Sequence, residues 1–86
     1  MENIDLIKNV LNEELDIDEN NLKGEDILEK LGVDSLGWTE ILVRLERELN
    51  FSIIGDDSVE ISSFTINDLN QLIEKSRRIN NANYQP

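Results

Sequence analysis

The chain contains no cysteine and no histidine. Without thiols it forms no disulfide and no thiolate metal site, and without imidazole it lacks the commonest general base. Carboxylates, lysines, serines and a single tyrosine are the chemistry that remains. One proline and four glycines leave few points where a helix must break. No apolar run approaches the roughly 20 residues of a membrane span, and no secretory leader is evident. A soluble, cytoplasmic protein is therefore expected. Basic residues are scarce as well, 8 against 19 acidic ones, for a net charge of −11. Such a chain repels nucleic acid and anionic membrane, and its partners are expected to present basic patches.

At 86 residues the chain is expected to be one domain. A domain of this size buries only about 60% of its unfolded surface, so its core must be compact. Apolar residues recur at helical spacing, which argues for an all-α fold: a small four-helix bundle with three main helices, one short helix and a long first loop. The domain is expected over residues 1–79, with 80–86 a polar, disordered tail. A monomer is expected.

The first helix is predicted over residues 3–15, where Ile4, Ile7, Val10, Leu11 and Leu15 recur at three- and four-residue steps, with Leu6 beside them and Asn3 as a cap. Residues 16–33 read as an acidic connection. Asp16-Ile17-Asp18-Glu19-Asn20 suggests a calcium loop, but the sixth position is Asn21 rather than Gly and the twelfth is Ile27 rather than Glu. No metal site is expected. Leu22, Ile27, Leu28 and Leu31 should tack this connection to the bundle, with a helical turn near 25–31 ending at Gly32.

A second helix is predicted from Ser35 to Leu49, with Leu36, Thr39, Leu42, Val43, Leu45 and Leu49 facing inward. Gly37, Glu40, Arg44 and Arg47 would form an outward stripe, with Glu40 and Arg44 an i,i+4 ion pair. A short third helix is expected over Asp56–Ile61. The last helix opens with Thr65 as N-cap and Asp68 at the capping-box position, stapled by Phe64. Ile66, Leu69, Leu72 and Ile73 are its buried stripe, and Lys75, Arg77 and Arg78 would complement the dipole at its end.

One stretch organises the rest: Leu31-Gly32-Val33-Asp34-Ser35-Leu36. Asp34 is placed as N-cap and Ser35 as first helical residue, with Leu36 burying itself to fix the turn. A hydroxyl at that point projects from a helix N-terminus, where unpaired N–H groups and the helix dipole favour an attached anion. Leu-Gly-Val-Asp-Ser-Leu followed by a helix resembles the prosthetic-group site of acyl carrier proteins, and the resemblance spans roughly residues 4–75.

The resemblance implies that a phosphopantetheinyl transferase attaches phosphopantetheine to Ser35, with Asp34 and Leu36 flanking the site. Acyl-loading and acyl-transfer enzymes would then act on the thioester, and the chain itself would be no catalyst. It further implies partner contacts at Gly37, Trp38, Glu40, Arg44 and Arg47. An acyl pocket would be lined by Thr39, Leu42, Val43, Ile53, Val59 and Ile61, and the Trp38 ring either packs on the core or borders the arm's path. Carriers of fatty-acid synthesis have a strongly acidic second helix. Gly37, Arg44 and Arg47 depart from that pattern and point to a specialised polyketide, hybrid or fatty-acid-like pathway. A D-alanyl, aminoacyl or peptidyl carrier is the alternative within the resemblance. An unmodified acidic helical interaction module is the alternative outside it.

Overall fold

The fold, a computed structural model, is described for residues 3–54 and 60–83. Three helices carry it: α1 (Asn3–Leu15), α2 (Ser35–Leu49) and α3 (Ile66–Asn83). Short 3-10 turns at Glu19–Asn21 and Leu28–Leu31 punctuate the first connection. The all-α reading holds, with no named strand among the described residues. Of the short third helix expected over Asp56–Ile61, the part at 56–59 lies outside the described residues; Glu60–Phe64 is a turn.

Helix α1 buries Leu6, Ile7, Val10 and Leu11, with Ile4 and Leu15 half-buried beside them. Removing each of the four from water contributes about 2 kcal/mol, which places α1 at the centre of the bundle. It packs on both α2 and α3. It ends where Asp16 turns left-handed (φ 59°) and its N–H returns to Asn12 O at 2.9 Å. Asn3 is not the expected cap. It lies inside the first turn, its Nδ2 donating to Glu74 and its Oδ1 accepting from Arg77 Nη2 at 2.9 Å, so it ties α1 to α3.

The acidic connection is fastened by its few apolar residues. Leu22 and Leu28 are buried, and Ile27 pairs as an antiparallel bridge with Thr65. Backbone bonds complete the joint: Leu28 N to Phe64 O at 2.9 Å, Ile66 N to Asp26 O at 3.1 Å, and Asn67 N to Gly24 O at 2.9 Å. Gly24 is needed for that approach, since a Cβ there would stand 2.3 Å from Asn67 Oδ1. The starts of α2 and α3 therefore lie at the same pole, and α1 runs the other way.

At the start of α3 the capping box is reciprocal: Thr65 N donates to Asp68 Oδ2 at 3.0 Å and Asp68 N to Thr65 Oγ1 at 3.1 Å. Ile66, Leu69 and Ile73 are buried and Leu72 half-buried. The helix continues to Asn83, past the composition-based boundary at residue 79, so Lys75, Arg77 and Arg78 lie within it and not in its last turn. Arg77 instead sits over the Phe51 ring at 5.2 Å. Ser76, fully buried, accepts from Ile54 N at 2.9 Å, while Glu46 Oε2 accepts from Ile53 N at 2.8 Å and Ser52 O accepts from Asn80 Nδ2 at 3.0 Å. These three side chains hold the segment that leaves α2.

Candidate functional site

The turn before α2 is built by geometry that only certain residues allow. Gly32 closes the 3-10 turn at φ 107°, in the left-handed region where a side chain is strained. Its N–H bonds to Glu29 O at 3.1 Å and that of Val33 to Leu28 O at 3.1 Å. Val33 is buried and anchors the turn from below. Asp34 then takes an extended conformation, and its Oδ1 accepts from Gly37 N at 2.7 Å. A Cβ at Gly37 would lie 3.2 Å from that oxygen, so glycine leaves the cap room.

Ser35 follows as the first residue of α2, exposed, with its carbonyl accepting from Thr39 Oγ1 at 3.2 Å. Intrahelical bonding begins with Trp38 N to Asp34 O at 2.8 Å. The N–H groups of Ser35 and Leu36 precede that first bond and belong to the unsatisfied set at a helix start. Local positive potential and an accessible hydroxyl therefore coincide. This geometry fits a phosphate ester on Ser35: the residue is outside, the cap holds the turn without using the hydroxyl, and no bulky side chain is packed over it.

Helix α2 is rotated relative to the expected inward face. Leu36 was expected to bury itself and is 70% exposed; Val43 is 47% exposed and Thr39 is exposed. Leu45 reaches the core as expected, with Leu42 and Leu49 half-buried, and it is joined by Ile41, with Trp38 half-buried, in place of Leu36, Thr39 and Val43. The reason is angular. At 100° per residue, positions 36, 40, 43 and 47 lie opposite 38, 41 and 45, and one helix cannot bury both sets against a single bundle. The outward stripe is thus Leu36, Thr39, Glu40, Val43 and Arg47.

Arg44 leaves that stripe. Its guanidinium pairs with Glu13 and lies 3.6 Å from Glu14, both at the end of α1, in place of the expected pair with Glu40. The hydrogen bond it donates to Glu13, aided by the charges of Glu13, Glu14 and Glu48, raises its pKa above the usual arginine value. Arg44 remains charged throughout the ordinary pH range.

The ring of Trp38 meets that of Phe64 edge to face, centroids 5.3 Å apart. Of the expected pocket residues, Leu42 and Ile61 are half-buried and Ile53 is buried, Thr39 and Val43 lie on the outer surface, and Val59 falls outside the described residues. The sequence reading missed Ile41, although its spacing three beyond Trp38 was the available signal. It also missed Glu46 and Ser76 as backbone anchors, for which the sequence carries no local sign. Among the described residues no carboxylate cluster is arranged to hold a metal ion, and no helix is long and apolar enough to cross a membrane.

Set against known proteins, residues 5–74 match a family model described as a phosphopantetheine attachment site. No curated protein matches the chain.

Proposed function

The chain belongs to the phosphopantetheine attachment-site family, and from that premise we propose that it is a discrete acyl carrier protein with Ser35 as its attachment residue. The family's covalently bound phosphopantetheine supplies a terminal thiol, the group this cysteine-free chain lacks, on which an acyl group is held as a thioester. The single observation that carries the assignment to Ser35 is its position: an exposed hydroxyl on the first residue of α2, beside a cap that Asp34 completes without it. Asp34 sets the helix start, Gly37 admits the cap, and the N-terminal dipole offsets part of the ester's negative charge.

The chain's own part is to present and release, and the chemistry belongs to partners. A phosphopantetheinyl transferase must reach Ser35, and acyl-loading and acyl-transfer enzymes must reach the arm. The outward stripe of Leu36, Glu40, Val43 and Arg47 beside Ser35 is the proposed docking face, with Gly37 and Trp38 at its edge. Arg44, engaged with α1, contributes to the fold and not to that face. Leu42, Ile53 and Ile61 are the inward residues proposed to border the acyl chain. A specialised polyketide, hybrid or fatty-acid-like pathway is the proposed setting, because the stripe carries a cation where acidic residues prevail in fatty-acid carriers.

Intact mass after incubation with a broad-specificity phosphopantetheinyl transferase, coenzyme A and Mg²⁺ tests the assignment. One phosphopantetheine is added to the native chain and none to Ser35→Ala. Addition to Ser35→Ala, or label mapped to Ser62 or Ser63, overturns it.

A further inference from the structure

Helices α2 and α3 each pack closely on α1 and hardly on one another. Different chemistry ties the interval between them at its ends. At the Ser35 pole the Trp38 and Phe64 rings meet edge to face. Lower down, the successive amides of Ile53 and Ile54 bridge the helices. Ile53 N donates to Glu46 Oε2 on α2 at 2.8 Å, and Ile54 N to Ser76 Oγ on α3 at 2.9 Å. Both anchors lie about 16 Å along their helices from the common pole, at 1.5 Å per residue. Ser76 is fully buried and Glu46 half-buried. Between the ties the interval is apolar, with Leu42 and Leu45 contributed by α2 and Leu69 and Ile73 by α3.

The lower tie lies in line with the serine. At 100° per residue, Leu42 and Glu46 fall within about 20° of Ser35 around α2, so they share one edge of the helix. An acyl group reaching down that edge meets Leu42 and then the Glu46 carboxylate. The walls beside this edge differ in how firmly they are held. Residues 51–54 are fixed by Glu46, Ser76 and Asn80, with Arg77 over the Phe51 ring. The turn at 60–63 is bonded only within itself and to Phe64 among the described residues. Half-buried Ile61 is therefore the wall that gives way, and buried Ile53 the wall that stays.

We propose that the tie from Glu46 through Ile53 and Ile54 to Ser76 is the floor of the acyl site, and that it restricts the cargo to short and medium acyl chains. The proposal rests on the reading of Ser35 as the attachment residue. An alkyl chain pushed past the floor would separate Ile53 N and Ile54 N from their acceptors and leave both amides unpaired in a partly buried setting, which is costly. From Trp38 to Glu46 the helix rises about 12 Å at 1.5 Å per residue. An extended chain advances about 1.2 Å per bond, so roughly ten bonds fill that depth. An octanoyl group fits within it and a hexadecanoyl group does not. The excess of the longer chain stays in water and adds nothing to burial.

The test loads the full chain by transferase from butyryl-, octanoyl- and hexadecanoyl-coenzyme A and follows Tm. The octanoyl form is expected to melt several degrees above the butyryl form, and the hexadecanoyl form no higher than the octanoyl. In Glu46→Leu and in Ser76→Ala the gain is expected to continue from octanoyl to hexadecanoyl. Glu46→Gln, which keeps an acceptor for Ile53 N, is expected to hold the native limit. If Glu46→Leu does not fold, Ser76→Ala carries the comparison alone. A merely structural role lowers the Tm of every form alike and leaves the limit in place, and that result overturns the floor. So does a native Tm that climbs steadily to hexadecanoyl, or one indifferent to acyl length; in each case Ser35 is loaded and the carrier reading stands. No loading at Ser35 overturns the carrier reading, and the floor with it.

Discussion

Trp38 and Phe64 form an edge-to-face pair, ring centroids 5.3 Å apart at 75°, that links the first turn of α2 to the residue preceding the α3 cap. Backbone bonds join the same two regions through Leu28, so the pair supports a joint and does not make it alone. Phe64→Ala is expected to cost about 2 kcal/mol, below the 3–5 kcal/mol of a fully buried ring, and Trp38→Phe well under half of that because the edge-to-face contact survives. Thermal unfolding followed by circular dichroism measures both. A Phe64→Ala protein as stable as the native chain would remove the pair from the fold's support.

The cap at Asp34 gives a second expectation. Asp34→Ala removes the acceptor for Gly37 N and should lower stability by about 1 kcal/mol, whereas Asp34→Asn retains an acceptor and should lose only a few tenths. Urea titration separates the two. Equal losses would mean that the carboxylate's charge, and not its hydrogen bond, holds the turn.

Arg44 and Arg47 are three positions apart in sequence and should behave oppositely. Arg44→Glu sets a carboxylate against Glu13 and Glu14 and should lower Tm, with partial recovery when Glu13→Arg is added. Arg47→Glu, on the open stripe, should leave Tm within a degree or so. It should instead slow phosphopantetheine transfer by the broad-specificity enzyme, as Leu36→Ala should, and the Arg47 effect should fade with salt. Transfer rates insensitive to Arg47→Glu and Leu36→Ala would make the stripe a solvated face.

Ser76 offers a test of a buried polar anchor. Ser76→Ala leaves the amide of Ile54 without its acceptor and is expected to cost about 1 kcal/mol, or about 4–8 °C in Tm for a domain of this size. Hydrogen exchange at the Ile54 amide should accelerate ahead of exchange in α1. Unchanged exchange there would show that the contact does not protect the segment.

Self-repulsion among the excess carboxylates should make stability depend on salt. Net charge is −11, and the Debye length falls from about 30 Å at 0.01 M salt to about 10 Å at 0.1 M. Added NaCl should raise Tm, and Mg²⁺ or Ca²⁺ should raise it further without selectivity between them. A response to Ca²⁺ alone, saturating at micromolar concentration, would point to a specific site in the 16–27 connection.

Sequence and structure agree most closely where local chemistry decides. Helices over 3–15 and 35–49 were legible from apolar spacing and from Asp34. Gly32 and the Thr65–Asp68 pair were legible because each satisfies backbone groups within a few residues. The inward face of α2 was legible only in part, at Leu42, Leu45 and Leu49. Its apolar residues occupy both sides, and only the position of α1 distinguishes Ile41, which is buried, from Leu36 and Val43, which are not. Arg44 was read against Glu40 because that neighbour is four residues away, whereas its actual partners are 30 and 31 positions distant. The candidate site shows the same division: the Asp34 cap and the place of Ser35 at the helix start were readable, while the pairing of Trp38 with Phe64 and the anchoring of Ile53 by Glu46 depend on chain crossings that leave no local pattern.

The joint beneath Ser35 has a bearing on how its sequence is free to drift. Leu28 N to Phe64 O, Ile66 N to Asp26 O and Val33 N to Leu28 O are all amide-to-carbonyl bonds. Side chains along those segments can therefore change, within the limits of burial, without altering the bonds that set where Ser35 stands. Proline is excluded at Leu28, Val33 or Ile66, where it deletes the donor itself, and a side chain is excluded at Gly24, where its Cβ would meet Asn67. Substitutions along this joint that spare Gly32, Asp34 and Gly37 are therefore expected to leave the backbone of Ser35 where it stands.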